Sequence, residues 1–267
     1  MTMRVTVAVG GIVDPKWGAK DLGLGEDGTG VRRAVPRILS PFDEAAIESA
    51  LKLRDAHPGT RLRFLVASEG EDLALARSAM AFRPDEVLSL ALAEPLLWDP
   101  QAASDLLAQA TASEGEPADL VLLGREFGDF DEGMVAPLLA EALGCPFAGL
   151  VQEVGCDAEG LFFVRDAGEV RQRLRAARTP VVASVTNSQW NRLRYPLMKN
   201  VMAAKRERPQ TIACAADAAR AARRAASLAA RVPKPRTESP CVILQGSGAE
   251  QARQFIDTVR RLLASDA

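Results

Sequence analysis

Two of the side chains most used for proton transfer, histidine and tyrosine, are almost absent. His57 is the only histidine and Tyr195 the only tyrosine in 267 residues. A Ser-His-Asp triad, a multi-His metal site or a histidine relay would therefore have to be built on His57. That residue sits in Asp55-Ala56-His57-Pro58-Gly59-Thr60, a helix-ending turn that predicts an exposed loop position. The four cysteines, Cys145, Cys156, Cys214 and Cys241, form no CxxC pair and have no neighbouring histidine, which reads as reduced thiols rather than a zinc site. Asp129 and Asp131 could form a metal pair, but carboxylates in a loop more often face water or cap a helix, so no metal or catalytic residue is assigned. Gln245-Gly246-Ser247-Gly248 lacks the Gly-Lys-Ser/Thr ending of a phosphate loop and reads as the turn capping the last helix. The chemistry left to this chain is binding and positioning.

Composition points the same way. Hydrophobic residues make up 48% and charged residues 25%, with 20 Gly and 16 Pro, the profile of an ordinary globular protein. At roughly 100–200 residues per domain, the length fits one large α/β domain with a tail or two modest domains. Lys and Arg number 33 against 35 Asp and Glu, a net charge of −2, so no global field favours nucleic acid or an anionic membrane. No uninterrupted apolar run reaches the ~18 residues of a transmembrane helix. Met1-Thr2-Met3-Arg4-Val5-Thr6-Val7-Ala8-Val9 lacks the features of a signal peptide. The expectation is a cytoplasmic chain that neither binds nucleic acid nor embeds in a membrane.

The elements that must position a binding site alternate between strand and helix. Val5–Val9 is a β-branched run closed by Gly10-Gly11, a buried strand entering a loop. The stretch 18–30, ending Glu26-Asp27-Gly28-Thr29-Gly30, reads as a hairpin or excursion. Ser40-Pro41-Phe42-Asp43-Glu44 then opens a helix over 45–54, with Ser40 as N-cap, Pro41 in the first helical position and acidic residues in the first turn. Strands over 61–67, 87–90 and 119–124 alternate with helices over 71–82, 99–113 and 135–143, the last ending at Gly144. This order predicts a three-layer open α/β fold, a mostly parallel sheet flanked by helices. Strands over 149–154, 161–165 and 170–174 suggest an antiparallel hairpin before 180–185 returns to the core.

Beyond Asn187 the character changes. Arg192-Leu193-Arg194-Tyr195-Pro196-Leu197-Met198-Lys199-Asn200-Val201-Met202 mixes bases with large apolar residues that look exposed. An Ala/Arg-rich helix over 215–231, a Pro-containing linker over 232–236 and an amphipathic helix over 249–263 follow, and form an extended C-terminal helical arm. The division expected is a nucleotide-binding-type α/β domain over 1–206, with a partner-recognition loop at about 187–206, and an arm over 207–267.

Several segments together resemble the β subunit of electron transfer flavoproteins. They are Val7-Ala8-Val9 leading to Val13-Asp14-Pro15, Asp27-Gly28-Thr29-Gly30-Val31, the Ser40-Pro41-Phe42-Asp43-Glu44 helix start running to Leu51, and Pro117-Ala118-Asp119-Leu120-Val121-Leu122-Leu123-Gly124. Further on come Arg165-Asp166-Ala167-Gly168-Glu169, Thr179-Pro180-Val181-Val182-Ala183-Ser184, and Arg194-Tyr195 through Lys205. The resemblance covers about residues 3–206 and implies an adenine nucleotide alpha-hydrolase-like, Rossmann-like sheet. It implies a heterodimer whose α subunit holds most of an FAD, with the arm packing on that subunit. It also implies docking of a flavoprotein dehydrogenase and delivery of electrons to the electron transfer flavoprotein:quinone oxidoreductase, with this chain an electron carrier subunit rather than an enzyme. The scarcity of histidine suits that role, because flavin electron transfer asks the protein for position and electrostatics.

By the same resemblance, an AMP, or a second FAD in bifurcating members, would lie against Ala8, Val9, Gly10, Ser40, the Ser68-Glu69-Gly70 loop, and the loop carrying Asp129, Gly133, Met134, Val135 and Ala136. Partner recognition would fall to Tyr195, Leu197, Met198 and Lys199, with Arg192, Arg194, Lys205 and Arg206 steering the approach. The chain departs from the family where Met134-Val135-Ala136 stands in place of a Gln-Thr-Gly-type triplet. Two phosphate hydrogen bonds, worth roughly 1.5–3 kcal/mol each, are thereby lost, and Glu69 and Glu132 add negative charge. Backbone N–H groups could still hold AMP; bifurcation is disfavoured. A second reading of the residues is a stand-alone adenine-nucleotide-binding regulator of the universal-stress type, which would not need the 187–267 segment.

Overall fold

The computed structural model describes residues 3–16, 37–69, 73–92, 99–113, 117–129, 131–213 and 241–265. The chain divides into two compact units, Met1–Ala230 and Arg231–Ala267. In the first, strand β1 (Arg4–Val9) sends Val5, Val7 and Val9 to one face of the sheet and Ala8 to the other, the period-2 alternation of a strand. A short antiparallel ribbon, β2 (Ile12–Val13) with β3 (Arg37–Ile38), leads into helix α1 (Pro41–Ala56). Ser40 caps that helix in a reciprocal box: the Asp43 N–H donates to Ser40 Oγ at 2.9 Å, and the Ser40 N–H donates to the Asp43 carboxyl at 2.9 Å.

Strand β4 (Arg61–Glu69), helix α2 (Ala74–Met80), strand β5 (Glu86–Leu92), helix α3 (Pro100–Ser113), strand β6 (Leu120–Gly124) and helix α4 (Val135–Ala142) continue the alternation. After strand β7 (Phe147–Val151) the chain makes an antiparallel meander of β8 (Glu153–Asp157), β9 (Gly160–Ala167) and β10 (Val170–Arg175), then returns as β11 (Val181–Val185). Helix α5 (Met198–Ala204) and strand β12 (Gln210–Ala213) complete the unit as described. The main sheet has seven strands in the order β12-β5-β4-β1-β6-β11-β7. Every ladder in it is parallel. One face is covered by α1, α2 and the meander, the other by α3 and α4, so strands such as β6 and β11 are buried along their whole length.

The open α/β fold read from the sequence is the one observed, with four local differences. The 149–154 strand is two strands: β7 pairs in parallel with β11 and β8 starts the meander. Leu150, at φ +58, and the register shift between Ala183 and Val185 mark where the chain leaves the sheet. Ser68 and Glu69 are not loop residues but the end of β4, because β5 runs on to Leu92 and offers ladder partners for both; Gly70 lies outside the described residues. Helix α2 starts later than residue 71 and stops at Met80. The sheet also extends past residue 206, because Gln210–Ala213, in the stretch assigned to the arm, pairs with β5 as an edge strand. The 18–30 excursion, the 215–231 helix and the 232–236 linker lie outside the described residues.

The second unit contains helix α6 (Gly248–Ser265). Its start is the predicted turn: the Ser247 N–H and hydroxyl both donate to Glu250 at 2.7 Å, and the Gln251 N–H donates to the Ser247 carbonyl at 2.9 Å. Phe255, Ile256, Leu262 and Leu263 on this helix are exposed.

Candidate functional site

The strand order reverses at β1, with β4 and β6 on its two sides. Ligands in open parallel sheets bind in the crevice at such a reversal, outside the carboxyl ends of the strands. The Gly10 turn after β1 and the 125–134 loop after β6 face each other there. A Cβ added to Gly10 would lie 2.5 Å from the Gly128 amide nitrogen, so only glycine permits this backbone contact.

Backbone donors around the crevice are met by carboxyl groups of the same chain. Asp43, fully buried, accepts from Gly10 N–H at 3.1 Å and from Gly11 N–H at 3.0 Å, besides Ser40. Burial pushes the Asp43 carboxyl above its usual value, opposed by the bonds from Ser40, Gly10 and Gly11. Asp131, also buried, accepts from Gly133 at 2.9 Å, Met134 at 2.7 Å and Val135 at 3.3 Å through Oδ1, and from Phe127 at 2.9 Å through Oδ2. It ties together the turn that leads into α4, which Gly133 makes at φ +95. Asp129 accepts from Val13 N–H at 2.9 Å and lies 3.3 Å from Arg37, which donates to the Gly10 and Gly11 carbonyls at 3.1 and 2.8 Å.

Thus Ala8, Val9, Gly10, Ser40 and the 129–136 loop do converge at one end of the sheet. Ala8 and Val9 are buried in β1, while Met134 is exposed and Val135 and Ala136 are core residues of α4. Asp43 and Asp131 as internal acceptors were the missed residues. The capping-box spacing Ser40-x-x-Asp43 was the visible signal for the first, and Asp131 four residues before Val135 the weaker signal for the second.

A second constellation lies in 187–206. Tyr195 is 92%, Leu197 60% and Met198 73% exposed. Lys199 is exposed beside them, as are Trp190 and Met202. Met198 and Met202 stand at i and i+4 on α5, hence on one face. The segment is braced from behind. Asn191, buried, donates to the Gln152 and Thr186 carbonyls at 3.2 and 2.9 Å and accepts from Ser188 N–H at 2.7 Å. Ala204 and Val201 pack on Met80 and Ala81. Lys52 donates to the Trp190 carbonyl, and the Arg171 guanidinium lies 5.8 Å from the Trp190 ring centroid.

Arg194, read as a steering charge, is a brace instead. Its Nη2 donates to Glu48 Oε1 at 2.8 Å, its Nη1 to Asp55 at 2.6 Å, and its backbone N–H to Glu48 Oε2 at 3.1 Å. Glu48 is only 5% exposed at its side chain, and its bonds, with those of Asp55, hold the guanidinium above its ordinary value. Arg192, Lys199, Lys205 and Arg206 are exposed. Among the described residues, no three His, Cys, Asp or Glu side chains gather as a metal site, and no helix is long and apolar enough to cross a membrane. His57 is spent on a link between elements, its Nε2 lying 3.1 Å from the Cys156 carbonyl.

A parallel sheet flanked by helices on both faces, with a loop crevice at its reversal, is an open α/β fold of the doubly wound kind. The electron transfer flavoprotein domain matches residues 28–217. The electron transfer flavoprotein subunit beta of Syntrophomonas wolfei is 29% identical over 196 residues, covering 72% of this chain and 73% of that protein. The subunit of the same name from Mycobacterium bovis is 29% identical over 258 residues, covering 91% and 94%. The caffeyl-CoA reductase-Etf complex subunit CarD of Acetobacterium woodii is 32% identical over 127 residues, 48% of each chain. The chain belongs to the electron transfer flavoprotein family, in its β-subunit branch.

Proposed function

We propose that this chain works as the β half of a heterodimer in which an α subunit holds most of an FAD, and that 187–206 is its docking element for flavoprotein dehydrogenases. The flavin, when bound, supplies the redox chemistry. This chain supplies packing and position, and its single histidine is no handicap. Leu197 and Met198 are the apolar anchors, Tyr195 and Met202 widen the patch, and Lys199, Arg192, Lys205 and Arg206 draw in an acidic partner surface. Electrons collected in this way pass on to a membrane quinone oxidoreductase, and the chain beyond β12 holds the α subunit.

The observation that carries the reading is the braced projection. A chain does not fix large exposed side chains with a buried Asn191 and a Glu48–Arg194 pair unless their geometry matters, and methionine adapts to several partner surfaces. Co-expression with an α subunit, followed by purification through a tag on this chain, should return a yellow heterodimer that an acyl-CoA dehydrogenase-type donor reduces. A colourless chain with no second subunit overturns the reading.

A further inference from the structure

We infer that this subunit carries no AMP and no second FAD, because its own Asp43, Asp129 and Asp131 already occupy the backbone donors that a nucleotide phosphate would need. Eight main-chain N–H groups ring the crevice between β1 and β6. Those of Gly10, Gly11 and Ser40 donate to Asp43, that of Val13 donates to Asp129, and those of Phe127, Gly133, Met134 and Val135 donate to Asp131. Each N–H has one hydrogen to give. To take the donors of Asp43 or Asp131 a phosphate would have to displace a buried carboxyl group and leave it without those partners, which costs more than the phosphate bonds return. At the exposed Asp129 it would meet a carboxylate already paired with Arg37.

Three further features agree. Met134 is exposed, and Val135 and Ala136 are spent on the core, so none of the three lends a polar side-chain group. Arg37, the cation beside the crevice, is engaged with the Gly10 and Gly11 carbonyls and with Asp129. The backbones of Gly10 and Gly128 touch, which leaves no gap between the two loops at that point. In effect Asp43 and Asp131 supply from within the chain the acceptors that a phosphate would otherwise provide.

The inference rests on the β-subunit reading only for the choice of sample. The heterodimer, denatured and analysed by mass spectrometry, should release one FAD per heterodimer and no AMP. Stoichiometric AMP, or two FAD per heterodimer, overturns the inference while leaving the β-subunit reading intact; failure to form a flavin-bearing heterodimer has the opposite effect. AMP titration covers that second case, because it can be run on the chain with or without its partner. Millimolar AMP should leave the thermal midpoint unchanged, whereas a site of micromolar Kd would raise it by about 8–16 °C. Such a rise overturns the inference.

Discussion

The crevice at the sheet reversal and the projection at 187–206 treat their side chains in opposite ways. In the crevice, groups made for meeting a ligand are turned inward: Asp43 and Asp131 are buried and bonded to the chain's own amides. At the projection, Leu197 and Met198, residues made for a core, are turned outward and held there. Folding ties up the backbone donors of the first region and leaves the large apolar groups of the second exposed. The lesson is that a ligand site inherited with a fold is to be judged by where its donors are already committed, and a docking site by what holds exposed apolar groups in place.

The sharpest way to break this contrast is Asp131→Ala. It strips four amides of their acceptor in the turn that leads into α4, a loss of about 3 kcal/mol, or a fall in thermal midpoint of about 6–12 °C for a domain of this size. If the midpoint hardly moves, the crevice is not satisfied from within. Next comes Arg194→Ala, which leaves Glu48 buried without its partner. Complete burial would cost more, but Arg194 is part exposed, so about 2 kcal/mol is expected. The same variant should raise KM for the dehydrogenase with kcat little changed, and Arg194→Lys should recover only part of both losses because an ammonium cannot fork across two carboxylates. An unchanged KM would detach the brace from docking.

These two variants also mark how far the sequence could be read. The alternation of β-branched strands with capped helices is local, so β1, α1, β6 and the parallel order were legible. So was α6, from the Gln245-Gly246-Ser247-Gly248 turn and the amphipathic run after it. The exposed Tyr195-Pro196-Leu197-Met198 was legible because large apolar residues among bases are out of place in any core. Arg194 was misread because its partners Glu48 and Asp55 lie 146 and 139 residues away, and no local pattern records such a pairing. The split between β7 and β8 escaped for a similar reason, since the partner strand β11 comes thirty residues later and a run of strand-forming residues does not say which sheet it joins. The crevice was half legible: spacing placed its residues, but only the fold showed which way Asp131 faces.

Smaller effects sharpen the projection. Leu197→Ala and Met198→Ala should each weaken dehydrogenase docking by about 1–2 kcal/mol, roughly 5–30-fold in KM. Both should leave stability within about 0.5 kcal/mol, because these side chains touch little of their own chain. Steady-state kinetics beside thermal melts checks both halves, and a variant that melts early instead would mean that the patch is structural. Asp43→Asn tests the crevice through pH. Because the Asp43 pKa is raised above 3.8 by burial, the folded chain binds more protons than the unfolded chain between that value and the raised one. Its contribution to stability therefore falls as pH rises through the window. Asp43→Asn should remove that part of the pH dependence and cost about 1 kcal/mol near neutrality, where an amide meets the Gly10 and Gly11 donors less well.

The smallest effect belongs to Asp157, on the meander, where Arg175 and Arg173 approach within 2.8 and 2.7 Å. The Arg175 hydrogen bond holds the Asp157 carboxyl well below the usual carboxylate range, so its stabilising contribution is present above the unfolded value and lost as pH falls through the depressed one. This cluster lies at the surface, and water and salt screen it. Asp157→Asn should leave the melting midpoint unchanged at high salt, in contrast with the several degrees expected for Asp131→Ala. Both aspartates bond several partners on their own chain, so bond count does not separate them. What separates them is that Asp131 is itself buried and two of its donors, the Phe127 and Val135 amides, lie inside the fold, whereas Arg173 and Arg175 regain their hydration when Asp157 is neutralised.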